Sequence, residues 1–402
     1  MTGSATQIQR GELRYAIAFF GTHLAFIPLF ALLLPRRVAA IDLDHAIRLL
    51  SVLLLVGGIT ASVAHIAAGR WSDRWLKRRG SRRGLIAIGL AAVAGAQLVL
   101  AVAVSEAALI GALILFQLAL NLMFAPLGAL LADHVADRRK GRVAGWLNAT
   151  LPLASVGTAL AAFLFPHDGP GGFVFIAAIS GVALLPLLLG WSFGPVAASD
   201  AAKAVMHSPT SADERADYVR LWCARLLIQL GAAFVINYFF LYLVERENAH
   251  DASRLIGSLA ALAAILSFTS ALAAGYWSDR SGRRRPPMIV ATLGCATGLL
   301  AMATNPQWPV VVIAYILFHV GLTAFLSVDL AMVTQLLSRS ERRGELLGVM
   351  NLTNTLPSIL VPALTLLSIR AESVPHWSIS FAIVGMLALA ATGILSRIKT
   401  IR

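Results

Sequence analysis

The chain is poor in charge. Of its 402 residues only 13% are Asp, Glu, Lys or Arg, whereas 58% are hydrophobic. A soluble domain carries about 25% charged residues, so this chain cannot cover itself with a water-compatible surface, and lipid has to be the solvent for much of it. Cysteine is scarcer still. Cys223 and Cys295 are the two present, which excludes a disulfide framework and any cysteine metal site. The pattern Gly-x-x-x-x-Gly-Lys-Ser/Thr is missing, so the phosphate cradle of ATP-driven transport is missing too. No His-x-x-x-His or comparable grouping occurs. Neither an enzyme nor a bound metal or cofactor is expected.

What is present is a series of long apolar runs. Crossing a ~30 Å hydrocarbon layer takes about 20 apolar residues. Such runs lie at 13–35, 47–70, 84–104, 107–132, 143–165 and 171–192, then at 218–244, 253–276, 287–304, 308–337, 345–369 and 376–396. The first is too long for the ~7–15-residue apolar region of a cleaved signal and reads as a span. The longest separator, 193–217, is polar and contains Pro195, Asp200, Lys203, Pro209, Asp213, Glu214 and Asp217, a linker composition. The expected fold is therefore all-α, with twelve transmembrane helices in two pseudo-symmetric six-helix bundles, residues 1–192 and 218–402, joined by that linker.

An even number of spans puts both termini on one side. That side collects 26 of the 33 Lys and Arg residues, the opposite side six, and Arg225 lies within span 7. Basic residues accumulate on the cytoplasmic face, so both termini are expected there, in a bacterial inner membrane. The net charge of +13 is then a topology signal, not a nucleic-acid footprint. Its secondary partner is the anionic headgroups of membrane lipid.

The chain also repeats itself. Gly69-Arg70-Trp71-Ser72-Asp73-Arg74 after span 2 returns 206 residues later as Gly275-Tyr276-Trp277-Ser278-Asp279-Arg280, each copy followed by a basic run. Arg139-Lys140-Gly141 with Asn148 returns as Arg342-Arg343-Gly344 with Asn351, and Thr150-Leu151-Pro152 as Thr355-Leu356-Pro357. Two halves with matching hinges suit a carrier that rocks about its centre. Gly69 and Gly275 are expected to let helix ends approach closely. Asp73 and Asp279 are expected near a neighbouring helix N-terminus. Arg74, Arg280 and their neighbours should bridge to Asp133, Asp137 or Glu341, making a cytoplasmic gate. The outlying Arg78, Arg79, Arg82 and Arg83 read as plain topology charges.

On these residues the sequence resembles the major facilitator superfamily, whose signature between spans 2 and 3 is Gly-x-x-x-Asp-Arg-x-Gly-Arg-Arg. The first copy departs from it by carrying Trp75-Leu76-Lys77-Arg78-Arg79 before Gly80. This longer form resembles the glycoside–pentoside–hexuronide symporters and the sucrose-type carriers. The run from Asp329 to Gln335, the run from Gly344 to Asn351, and Arg225 with Tyr238 and Tyr242 add to that likeness. The acids that would hold sodium in spans 2 and 4 of the melibiose-permease type are not here: span 2 offers His65, and span 4 offers Gln117 and Asn121.

Inside the membrane Asp329 is the one acid well within a span. A charge at that depth costs at least ~2.5 kcal/mol, so it must be paired or line a cavity. Arg225 is its candidate partner, and the two are candidates for proton coupling or for a structural lock. His23, Gln117, Asn121, Gln229, Asn237, Tyr238 and His319 fall at depths where a central cavity would lie. Each is equally a candidate for interhelical hydrogen bonding. Together they suit an uncharged polar solute, a sugar or glycoside, better than a dicarboxylate. The expectation is a monomeric secondary transporter, proton-coupled, working by alternating access. The alternatives are an exporter of amphiphilic compounds and a non-transporting sensor or scaffold on the same fold.

Overall fold

A computed structural model of the chain describes residues 2–135, 137–191, 212–247, 249–336, 343–371 and 376–399, and every regular element among them is helical. In the first half these are α1 (Thr2–Pro28), a π-helical turn Leu29–Leu33, α2 (Leu34–Ile41), α3 (Ala46–Arg79), α4 (Arg83–Val102), α5 (Glu106–His134), α6 (Asp137–Leu153), α7 (Ser155–Leu164) and α8 (Pro170–Leu189). The second half comprises α9 (Ala212–Arg246), α10 (Ala249–Ser281), α11 (Arg285–Ala303), α12 (Trp308–Leu336), α13 (Arg343–Thr355), α14 (Pro357–Ala371) and α15 (Trp377–Leu395).

Eleven helical stretches among the described residues are long and apolar enough to cross a bilayer, and a twelfth is a pair, Val349–Thr355 and Pro357–Ser368, bent by 43°. The bends sit at prolines, which remove a backbone donor and clash with the preceding turn. Pro28 precedes the π-helical turn, Pro152 lies at the α6–α7 break, and Pro357 starts α14. Two spans outrun the apolar pattern. The helices expected to stop near residues 70 and 276 continue through the basic motif to Arg79 and Ser281.

The helices sort into two compact units, Met1–Asp200 with Leu243–Ser258, and Ala201–Tyr242 with Leu259–Arg402. Tyr15, Phe116 and Phe173 fill the core of the first, and Phe239, Phe318, Phe325 and Phe381 that of the second. In the first unit α4 lies directly on α5, because a Cβ at Gly89 would come within 2.6 Å of the Met123 backbone nitrogen. Leu, Ile and Val dominate the outer faces. Ile59, Val63 and Ile66 on α3 and Ile265 and Leu272 on α10 are all exposed, on faces where a soluble helix would carry charge. Lipid is the solvent those faces fit.

Candidate functional site

In each unit the repeated basic motif builds a charged hub beside the next helix. Arg82, the residue before α4, is buried. Its Nη2 donates to Asp73 at 2.9 Å, its Nε to Asp133 at 2.7 Å, and its Nη1 to the Ser72 hydroxyl. Arg284, the residue before α11, repeats this 202 residues later. Its Nε donates to Gln335 Oε1 at 2.8 Å, and its Nη1 lies 3.7 Å from Asp279. The motif aspartates therefore reach the neighbouring helix N-terminus through an arginine that stands in front of it.

Several expectations need correction here. Arg82 is not a topology charge but the centre of the hub. Arg74 is exposed, and Arg280 turns back on its own helix, donating to the Tyr276 hydroxyl at 2.6 Å. Among the described residues a Cβ added at Gly69 or Gly275 meets nothing within 4 Å, so neither glycine marks a close helix approach there. Gln335 stands where an acid was expected. Glu341 and the Asp137 side chain lie outside the described residues.

The intramembrane residues form one polar cluster per unit. In the first, His23 Nδ1 lies 2.7 Å from Thr150 Oγ1, and that hydroxyl donates to the Leu147 carbonyl at 2.6 Å. The hydroxyl proton is committed, so the histidine is the donor and its Nε2 is left as the acceptor. Phe19, Phe26 and Phe124 surround the His23 ring at 5.4, 5.5 and 6.4 Å. By the same logic His65 donates to Asn121 Oδ1 at 3.0 Å, since the Asn121 amide is committed to the Gln117 carbonyl at 2.9 Å. Gln117 and Asn121 are buried, while His65 is exposed.

In the second unit Arg225 and Asp329 are buried and form an ion pair through Nη1 and Oδ2. Arg225 Nε donates to Thr353 Oγ1 at 3.1 Å, whose own proton goes to the Met350 carbonyl at 2.7 Å. Its Nη2 reaches Asn354 Oδ1 at 3.4 Å, and Gln229 Nε2 donates to the same oxygen at 2.8 Å. The Asn354 amide continues to Asn351 Oδ1 at 3.0 Å. Among the described residues Asp329 Oδ1 is buried without a hydrogen-bond partner.

The two clusters correspond. A side chain of the unit's first span, His23 or Arg225, donates to a threonine exactly one repeat apart, Thr150 or Thr353, each itself bonded three residues back. The register is 203 residues, that of the Asn148–Asn351 echo, and not the 205 that Thr150 and Thr355 suggested. The other candidates stand apart. Asn237 is buried on α9, and Tyr238 is fully buried against Phe234, offering no surface to a solute. The His319 ring lies tilted by 33° against Tyr315, centroids 4.1 Å apart, and its Nδ1–H donates to that residue's carbonyl at 3.0 Å.

Long lipid-facing helices, a hub repeated in both units and an ion pair within the membrane define a multi-pass membrane transporter. The chain belongs to the Major Facilitator Superfamily, whose family model matches residues 15–266 and 221–399. It is thus a secondary transporter and not an enzyme. No curated protein sequence matches it as a relative. Solved structures do. A POT family transporter in complex with a thioalcohol-conjugated peptide is similar at TM-score 0.74 and 13% identity, over 96% of this chain and 95% of that one. The nucleoside transporter NupG is similar at TM-score 0.66 and 14% identity, over 98% and 100%. A bacterial homolog of the human lysosomal transporter Spinster gives 0.59 and 15%, over 98% and 94%. At these identities the likeness is one of fold, and it favours no branch of the superfamily.

Proposed function

We propose that this protein is a proton-coupled carrier of a small, uncharged, polar solute, a sugar or glycoside, working by alternating access between the halves 1–192 and 218–402. Both termini are cytoplasmic in this reading, the membrane is a bacterial inner membrane and the protein acts as a monomer. The observation that carries the reading is the buried Arg225–Asp329 pair, whose second carboxylate oxygen has no hydrogen-bond partner among the described residues. A buried ion pair with one free lone pair is poised to exchange its partner for a proton. Protonating Asp329 would free Arg225 and loosen its ties to Thr353 and Asn354.

The solute class rests on the neutral groups. In the first unit His23 Nε2, His65, Gln117 and Asn121 offer donors and acceptors without net charge, and Phe19, Phe26 and Phe124 offer aromatic faces. That combination suits hydroxyl groups on an apolar ring. The lengthened segment before Gly80, which resembles that of the glycoside–pentoside–hexuronide symporters and sucrose-type carriers, supports the same reading.

A thermal-stability panel of sugars, glycosides and lipophilic cations tests this. A ligand at about 100 times its dissociation constant stabilises by ~2.7 kcal/mol. A shift with a sugar or glycoside that is lost in His23→Ala and in Asn121→Ala is expected. A shift with amphiphiles alone would replace the reading by an exporter, and no shift across the panel would contradict the solute class.

A further inference from the structure

The two copies of the hub are not equal, and the difference lies in the segment that the gate does not use. Gly80 and Gly282 end the matched helices α3 and α10, both with positive φ, 70° and 62°. Upstream the copies align at an offset of 206, and from these glycines onward at 202. Residues 76–79, Leu-Lys-Arg-Arg, are therefore an extra helical turn on α3.

In the second copy three of the four cations are committed, and Arg283 alone is exposed without a side-chain bond among the described residues. Arg280 bonds Tyr276, Arg284 bonds Gln335, and Arg285 bonds the carbonyls of Ser396 and Ile398. In the first copy, among the described residues, Arg82 is the one of seven cations with side-chain hydrogen bonds, and Arg79 lies over the Trp75 ring. Arg70, Arg74, Lys77, Arg78 and Arg83 are exposed and have no acid partner among the described residues. A hub needs one arginine, as the second copy demonstrates, so the surplus calls for another partner.

Its surroundings say which. Trp71, Trp75 and Arg79 follow one another at four-residue spacing, which puts them on one helix face. Trp71 is exposed and Trp75 half-buried, with the Arg79 guanidinium carbon 5.5 Å from the Trp75 ring centre. Helix α3 has 34 residues, about 51 Å at ~1.5 Å per residue, against a hydrocarbon layer of ~30 Å. Its basic end therefore stands in the headgroup layer. Tryptophan prefers that depth, and the cations beside it face phosphodiesters.

We propose that the end of α3, from Arg70 to Arg79, is a binding site for an anionic phospholipid headgroup. Arg74 and Arg78, four residues apart and beside the face of Trp71, Trp75 and Arg79, take the phosphate, and the Trp75–Arg79 pair seats the glycerol backbone. Placing this site in the cytoplasmic leaflet rests on the topology proposed above, but the binding itself does not.

Native mass spectrometry of the purified protein in detergent, titrated with phosphatidylglycerol and with phosphatidylcholine of the same acyl chains, reads it directly. Phosphatidylglycerol should be retained preferentially, and the triple change Arg74→Gln, Arg78→Gln, Arg79→Gln should weaken it about 100-fold, at about fivefold per cation. Trp75→Phe alone should weaken it by a smaller factor and guards against misfolding of the triple variant. Equal retention of the two lipids, or unchanged phosphatidylglycerol binding in both variants, would overturn the proposal. So would soluble glycerophosphate binding as tightly as the lipid, because the site would then be one for free phosphate. Reversed sidedness would leave these results standing while refuting the leaflet.

Discussion

At the scale of single residues the account turns on Arg225 and Asp329. Removing one partner of a buried pair leaves the other charge unpaired and costs about 3–5 kcal/mol, whereas removing both is far milder. Arg225→Gln should therefore lower thermal stability strongly, and Arg225→Gln with Asp329→Asn should recover most of the loss. Melting curves of the two variants in detergent check this, and additive losses would mean the pair is not coupled. The pair was legible in the sequence because charge at membrane depth is rare enough for each instance to stand out. Arg82 was not. It is one of seven cations between Arg70 and Arg83, and only the fold distinguishes the one that points at Asp133. Thr150 and Thr353 were hidden for another reason. A threonine in a helix commonly bonds its own backbone, so residue type does not reveal that its hydroxyl also accepts from His23 or Arg225.

At the scale of elements, the ends of α3 and α10 carry the testable content. Gly80 and Gly282 take the left-handed conformation that lets each helix turn into the next. A Cβ there costs about 1 kcal/mol, so Gly80→Ala and Gly282→Ala should each lower the melting temperature, the double change roughly additively. The hub also has a pH dependence of fixed sign. His134 ends α5 next to Asp133, and its pKa is lowered, first by burial, while Asp133 opposes and the Arg82 charge adds to the shift. The unfolded chain then takes up the proton first. This contribution to stability is level above about pH 6.5, falls as pH drops below that value, and levels again beneath the folded pKa. A His134→Asn variant should show a flatter melting temperature than wild type between pH 7.5 and 5.5; parallel curves would remove His134 from the hub. The spans themselves were legible from apolar length alone. The helical continuation to Arg79 was not, because a run of arginine reads equally well as loop or as helix.

At the scale of the whole molecule the repeat was the clearest signal, because both halves must meet the same lipid and build the same hinge. Its finer register was misread by two residues at Thr355, since a proline break after the threonine recurs in both halves at slightly different places. The proposed sidedness rests on the basic asymmetry. A single cysteine replacing Arg283, beside the second hub, should react with a membrane-impermeant maleimide in inside-out vesicles and stay unlabelled in intact cells. The reverse pattern would invert the topology.

The central claim is that Asp329 couples a proton to the movement of solute. The most direct measurement is solute uptake into proteoliposomes driven by an imposed pH gradient, compared with solute exchange at equal pH, for wild type and Asp329→Asn. Uptake should vanish in the variant while exchange persists, because exchange needs the carrier to move but not to release a proton. Gradient-driven uptake that survives in Asp329→Asn would contradict the account.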